Sequence, residues 1–169
     1  MSAGLAVGEV AGWGWCGVAA SQNGLVAARG DMGSEAAVRA GLEGDLSEDF
    51  APDDGLAQAG LEYLGAILRG KTRELPRLNA RGSDFELQVW EVLGTVRRSH
   101  TISYGEIAGR LGLDAGSARA VGGAVGANPL WVIVPCHRAV GSDGSLTGYA
   151  GGLDLKRKLL NSEAQALIS

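Results

Sequence analysis

Residues 102–127 read ISYGEIAGRLGLDAGSARAVGGAVGA, and this stretch decides the fold expected for the second half of the chain. Ser103 with Glu106 forms a capping box, in which hydroxyl and carboxylate each satisfy a backbone N–H that a helix start leaves unpaired. The helix so begun runs through Ile107 and Leu111 to Gly112. A loop follows, and Ser117 can cap a second short helix through Ala127. Two short helices joined this way are either a helix-turn-helix or simply two packed helices, and spacing alone does not choose. Gly122 and Gly123 cost the second helix roughly 1 kcal/mol each relative to alanine. Close approach of the helix backbone to another surface would offset that cost.

Upstream, Ser83 with Glu86 repeats the capping box, and Phe85, Val89, Val92, Leu93 and Val96 follow at helical spacing toward a core. Near the start, apolar runs Trp13 to Ala20 and Leu25 to Arg29 flank Ser21-Gln22-Asn23-Gly24, and Asn-Gly between such runs predicts a hairpin turn because both residues tolerate positive φ. Residues 39–52 are rich in Gly, Asp and Glu and read as loop. Asp53 or Asp54 can then cap a helix with Leu61, Leu64 and Leu68 on one face, ended by Gly70. Residues 71–81, with Pro76 in the middle, read as a strand-and-linker passage. The expected architecture is α+β: a small N-terminal domain over residues 1–80, with an antiparallel sheet and a helix, then a mostly helical domain over residues 81–169.

Downstream lies the chemistry. The apolar run Leu130-Trp131-Val132-Ile133-Val134 closes on Pro135-Cys136-His137-Arg138. A cysteine in such a run is ordinarily a small hydrophobe. Here a histidine able to relay a proton and an arginine beside it favour the thiolate, while Pro135 restrains the backbone. Cys136 is read as a nucleophile and Cys16 as structural, since two distant cysteines make no disulfide framework.

Composition sets limits on the partner. The 169 residues carry a formal net charge of −4, which counts against a nucleic-acid partner until the halves are separated. Residues 1–80 hold eleven acids against six bases, and residues 81–169 hold nine bases against eight acids. The second half therefore permits nucleic-acid binding of modest, salt-sensitive affinity without demanding it. No apolar stretch approaches the roughly 20 residues of a membrane span, and the start lacks a secretory pattern, so a cytoplasmic protein is expected.

Four ordered blocks, Ile102 to Ala108, Ala118 to Ala124 with Asn128-Pro129, Pro135 to Arg138, and Gly148-Tyr149-Ala150-Gly151-Gly152, closely resemble the O6-alkylguanine-DNA alkyltransferases. The resemblance is dense from Gly82 to Glu163 and looser before it. It implies a ribonuclease H-like N-terminal domain, a C-terminal helix-turn-helix, and a DNA-repair reaction. In that reaction the alkyl group of O6-alkylguanine, or of O4-alkylthymine, passes irreversibly to Cys136, once per molecule and without cofactor or metal. The implied partner is alkylated double-stranded DNA held through the minor groove by a monomer.

By the same resemblance, the small residues Ser117, Ala118, Ala120 and Gly122 fit the groove. Arg119 fills the gap left by an extruded nucleotide, and Tyr104 crowds the adjoining phosphate and donates a proton to the departing base. His137 takes the thiol proton, directly or through water, and Glu163 orients His137. Asn128 braces the turn before the active-site strand, Tyr149 walls the pocket, and backbone groups near Ala139 and Ala150 read the base edge. Trp131 departs from the family, where a small residue or proline is common; its ring either narrows the alkyl pocket or turns outward. Gly126 stands where some members carry a DNA-contacting arginine, and Cys16 and His100 cannot complete the structural zinc site of others. Two rival readings are a noncatalytic sensor or helix-turn-helix regulator, which needs no thiol, and a cysteine hydrolase, which needs an oxyanion hole.

Overall fold

The computed structural model describes residues 3–46, 50–52 and 55–166. They form two compact units: Met1–Arg81 with Pro129–Ile133, and Gly82–Asn128 with Val134–Ser169. The fold is α+β, and among the described residues the first unit holds a small sheet with two α-helices and the second holds four α-helices.

In the first unit, β1 (Ala3–Val10), β2 (Gly14–Ser21) and β3 (Gly24–Met32) form an antiparallel meander. Helix α1 (Glu35–Leu46) follows, then a short β4 (Phe50–Pro52) that pairs parallel to β1, giving the order β3-β2-β1-β4. Helix α2 (Gly55–Leu68) completes the unit. Successive residues of β2 point to opposite faces, as a pleated strand requires. A Cβ on Gly17 would meet Val38 of α1, whereas Val18 lies against Gly60 of α2. The two helices thus cover opposite faces of the sheet, and Leu5, Ala19, Val26, Ala27, Val38 and Leu42 make the core on the α1 side.

Three sequence expectations need correction here. Residues 39–46 are helix rather than loop, because Ser34 caps the start through Ala37 N–H (3.1 Å), Glu35 pairs with Arg39, and Val38 and Leu42 bury one stripe. The glycine that suggested loop, Gly41, leaves room for the Arg29 side chain. The hairpin forms where expected, with Ser21 opposite Gly24, but its two central residues are Gln22 and Asn23, neither of which has positive φ. Gly24 (φ +150°) serves another purpose: a Cβ there would lie 2.7 Å from the Leu78 backbone. Finally, residues 71–81 form no strand, only a single bridge from Leu78 to Leu25. The proposed caps Asp53 and Asp54 lie outside the described residues.

Segment Pro129–Ile133 is not a strand either. It bridges Leu130 to Ala28 of β3, with Ala28 N–H donating to Pro129 O (2.9 Å), and Val132 takes φ +64°. The Trp131 ring lies directly over Gly30, with ring carbons 2.1–2.8 Å from where a Cβ would sit. The indole is committed to β3 as a packing group. Gly30→Ala should therefore displace the ring and cost about 1–3 kcal/mol of stability; an unchanged thermal midpoint would show that the ring yields freely.

The second unit packs α3 (Asp84–Gly94), α4 (Tyr104–Arg110) and α5 (Ala118–Gly126) against one another. Both capping boxes form as the sequence predicts. Buried Trp90 ties α3 to α5 by donating from Nε1 to Ala124 O at 2.8 Å. Ser117 does not cap α5: it ends a 3-10 turn, Ala115–Ser117, with helical φ and ψ, and its hydroxyl bonds Asp114 instead. Strand β5 (Ile102–Ser103) pairs parallel with β6 (Ala139–Val140), and α6 (Leu153–Ala166) closes the unit. Among the described residues no helix is long and apolar enough to cross a membrane.

Candidate active site

The β5–β6 pairing sets Tyr104, which follows β5, near the 3-10 turn Cys136–Arg138, which leads into β6. The turn is entered by a tight bend in which Cys136 N–H donates to Val134 O (2.8 Å). Asn128 Nδ2 donates to that same Val134 carbonyl at 2.8 Å, bracing the bend from the end of α5.

Two groups of side chains meet at the turn. Around the sulfur stand Tyr149, whose hydroxyl is 3.9 Å from Cys136 Sγ, Asn128, and the ammonium of Lys156. On the other side of the turn, His137 Nε2 donates to Glu163 Oε1 at 2.7 Å, and Arg138 forks onto the same carboxylate at 2.8–3.2 Å. Arg138 also donates from Nη1 to Val96 O (2.6 Å). The imidazole is wholly buried, and its Nδ1 has no hydrogen-bond partner among the described residues. With Nε2 as donor, Nδ1 carries the lone pair, so the site holds a base whose tautomer is set by a carboxylate.

Electrostatics correct one expectation. Burial dominates at Cys136 and pushes the thiol above its ordinary value, against hydrogen bonds from Asn128 and Tyr149 and the charge of Lys156. The resting sulfur is a protonated thiol, not the thiolate that its neighbours in sequence suggested. Arg138 does not supply the favourable charge, because its guanidinium is turned onto Glu163; Lys156 does. Burial likewise lowers His137, outweighing Glu163, so the imidazole is neutral at rest. Burial pushes the Glu163 carboxyl up, but the hydrogen bonds from His137 and Arg138 and the charge of the Arg138 guanidinium outweigh it and hold the carboxyl below its ordinary range. Glu163 therefore stays ionised throughout the physiological range.

Lys156 is the residue that sequence reasoning missed. Fully buried, it donates from Nζ to Ala139 O (2.6 Å), Thr147 O (3.3 Å) and Gly148 O (3.3 Å), and lies 5.9 Å from the centroid of the Tyr149 ring. Its burial lowers its proton affinity, while Cys136 acts in the opposite sense. A signal was available: Lys156 and Glu163 share the α6 stripe of buried Leu159, so a lysine and a glutamate occupy positions at which helical spacing calls for apolar residues. Tyr104 joins this network by donating its hydroxyl to Thr147 O (3.0 Å).

Ala139 is not free to read a base. Its N–H goes to Cys136 O and its carbonyl to Lys156. Ala150 is exposed in the loop before α6. Of the residues at and within α5, Arg119 and Ala120 are exposed and Ser117, Ala118 and Gly122 half-buried. A Cβ on Gly123 would meet nothing within 4 Å, and one on Gly122 would only graze the Tyr104 ring at 4.0 Å. This face of α5 is open to close approach. Among the described residues no cluster of His, Cys, Asp or Glu is placed to hold a metal ion.

Residues 84–165 match the family profile described as the DNA-binding domain of 6-O-methylguanine DNA methyltransferase. Over 115 residues the chain is 46% identical to the methylated-DNA–protein-cysteine methyltransferase of Mycobacterium tuberculosis strain H37Rv, covering 68% of this chain and 69% of that protein. The crystal structure of the M. tuberculosis O6-methylguanine methyltransferase is similar at a TM-score of 0.76 and 35% identity, over 97% of this chain and 94% of that one. A structure of the M. tuberculosis protein in complex with DNA is similar at a TM-score of 0.75 and 35% identity, over 98% and 94% of the two chains. The chain belongs to the methylated-DNA–protein-cysteine methyltransferases. It is an enzyme of DNA repair.

Proposed function

We propose that Cys136 takes the alkyl group from O6-alkylguanine in double-stranded DNA, and from O4-alkylthymine, in a single irreversible displacement. The observation that carries this reading is a buried thiol one residue from a neutral imidazole whose Nε2–H is held by an ionised Glu163. Sγ attacks the alkyl carbon, the carbon–O6 bond breaks, and its electron pair passes into the guanine ring, which takes up a proton. The thiol proton moves to His137 Nδ1, through water. Lys156 stabilises the negative charge that develops on sulfur. The tyrosine hydroxyl of residue 104, released from Thr147, donates to the departing base. The product thioether is stable and among the described residues no group is placed to hydrolyse it, so each molecule acts once.

A stacked guanine cannot bring O6 to a buried sulfur, so the base must leave the helix. The exposed Arg119 and the open glycine face of α5 suit a helix-turn-helix in which α5 enters the minor groove and Arg119 fills the vacated space. The first unit, with its order β3-β2-β1-β4, is read as a ribonuclease H-like domain, the chain as acting as a monomer, and the reduced thiol as suiting a reducing compartment such as the cytoplasm. Trp131, stacked on Gly30, is assigned to packing and no longer to the alkyl pocket.

The direct test is intact-mass and peptide analysis after incubation with O6-methylguanine duplex DNA. One methyl group on Cys136 is expected; binding without mass gain would favour the noncatalytic sensor. A second test addresses extrusion. Arg119→Ala should slow repair of duplex DNA roughly tenfold or more, the scale of the unstacking energy it offsets, while reaction with free O6-alkylguanine stays near wild type. Equal slowing of both substrates would place Arg119 in the chemistry.

A further inference from the structure

In the loop between α3 and β5, Ser99 holds φ at +67°, the left-handed region that strains any residue with a Cβ and suits glycine. Two hydrogen bonds run from it to one residue. Its N–H donates to Glu163 Oε2 (3.4 Å), and its hydroxyl donates to Glu163 O (2.7 Å). The carbonyl that accepts the hydroxyl lies in the C-terminal part of α6 (Leu153–Ala166). Neighbouring Arg98 donates from Nη2 to Ser162 O (3.5 Å), so residues 98 and 99 together grip the last turn of α6. The gripped residue is the one whose carboxylate accepts His137 Nε2. A glycine would adopt this backbone without strain and keep the N–H bond. The hydroxyl bond is what serine adds.

We infer that Ser99 is a positioning residue for alkyl transfer, holding Glu163 at both its carboxylate and its carbonyl and thereby fixing the orientation of His137. The inference rests on the reading of His137 as proton acceptor. Among the described residues the titratable and charged groups on Glu163 are His137 and Arg138 of the 3-10 turn, with Arg98 of the loop on the neighbouring Ser162 carbonyl and Lys156 upstream on the same helix acting on His137. None of these is altered by a change at residue 99.

The test uses the full chain with Ser99→Gly, Ser99→Ala and Glu163→Gln. Single-turnover methyl transfer from O6-methylguanine duplex DNA is followed across pH, with DNA affinity and thermal midpoint measured in parallel. Ser99→Gly should melt close to wild type, relief of the left-handed strain offsetting the lost hydroxyl bond. It should nevertheless transfer roughly three- to tenfold more slowly, the factor that one net hydrogen bond carries. The acid limb of its rate profile, where His137 takes up a proton, should move to lower pH, because a less firmly held Glu163 lowers the proton affinity of the imidazole, and its DNA affinity should be unchanged. Ser99→Ala should show the same loss of rate with a lower midpoint. A wild-type rate and profile in Ser99→Gly, with Glu163→Gln slow, would overturn the inference and leave Ser99 a helix cap. Wild-type rates in both would instead remove the His137–Glu163 reading itself.

Discussion

Cys136→Ser should reduce alkyl transfer to below detection while binding to alkylated duplex DNA persists. Sulfur and oxygen occupy the same place, so the surface proposed to bind DNA is untouched; what changes is the acidity of the proposed nucleophile. Burial already pushes the Cys136 thiol above its ordinary value, and three neighbours only partly offset it. A hydroxyl is a far weaker acid than a thiol, and a neutral imidazole that burial has made less basic cannot deprotonate it to a useful extent. The measurement pairs the mass of the protein after incubation with O6-methylguanine duplex with an equilibrium binding curve for the same duplex. Methylated protein accumulating at near the wild-type rate would refute Cys136 as the acceptor.

Lys156→Met is the second large effect. The ammonium is buried beside the sulfur, and a unit charge a few ångströms away at an effective dielectric constant near 20 contributes about 2–4 kcal/mol to a developing anion. Methionine keeps the apolar stem and removes the charge. Transfer at neutral pH should fall by roughly thirtyfold to several hundredfold. The sign for pH follows from the direction of the interaction: Lys156 lowers the thiol's proton affinity, so its removal raises it, and the rate profile of the variant should move toward higher pH. Stability should change less. Burying the ammonium carries a desolvation cost that the variant escapes, but the carbonyls of Ala139, Thr147 and Gly148 lose their common donor, at about 1–3 kcal/mol for groups that stay buried. A variant with the wild-type pH profile would mean that Lys156 serves only to hold the loop.

The same residue explains a tension in the site. A thiol kept protonated at rest is protected from adventitious reaction, yet transfer requires the thiolate. In the proposed reaction, neutral His137, ionised Glu163 and charged Lys156 reconcile these needs by contributing most as charge develops on the sulfur. Preorganised groups of this kind cost little reorganisation at the moment of reaction.

Features that depend on a few adjacent residues were legible in the sequence. The capping boxes Ser83–Glu86 and Ser103–Glu106 form because each is closed by two hydrogen bonds within one helical turn. The hairpin at residues 21–24 was placed for a similar local reason, although the role of Gly24 was not: only the approach of residues 77–79 explains it. Helix α1 was missed because Gly41 and the acidic run argue locally for loop, whereas burial of Val38 and Leu42 against the sheet argues for helix and prevails. Tertiary packing commonly overrides weak local propensity.

The candidate nucleophile Cys136 and its adjacent histidine were visible because they are consecutive, and the block resemblance carried Glu163, whose carboxylate the structure places on His137. What contiguity could not reveal was the direction in which each charge points. Arg138, next but one to Cys136, turns to Glu163, whereas Lys156, twenty positions on, acts on the sulfur. Trp131, five residues before the thiol, stacks on Gly30. Sequence order determined the two capping boxes, the place of the hairpin and the candidate nucleophile with its adjacent imidazole, because those features span only a few residues. The protonation state of the sulfur, its counter-charge and the grip of Ser99 on Glu163 were decided by the tertiary structure alone, because desolvation and Coulomb interaction depend on distance in space and on what water is excluded, neither of which the order of residues expresses.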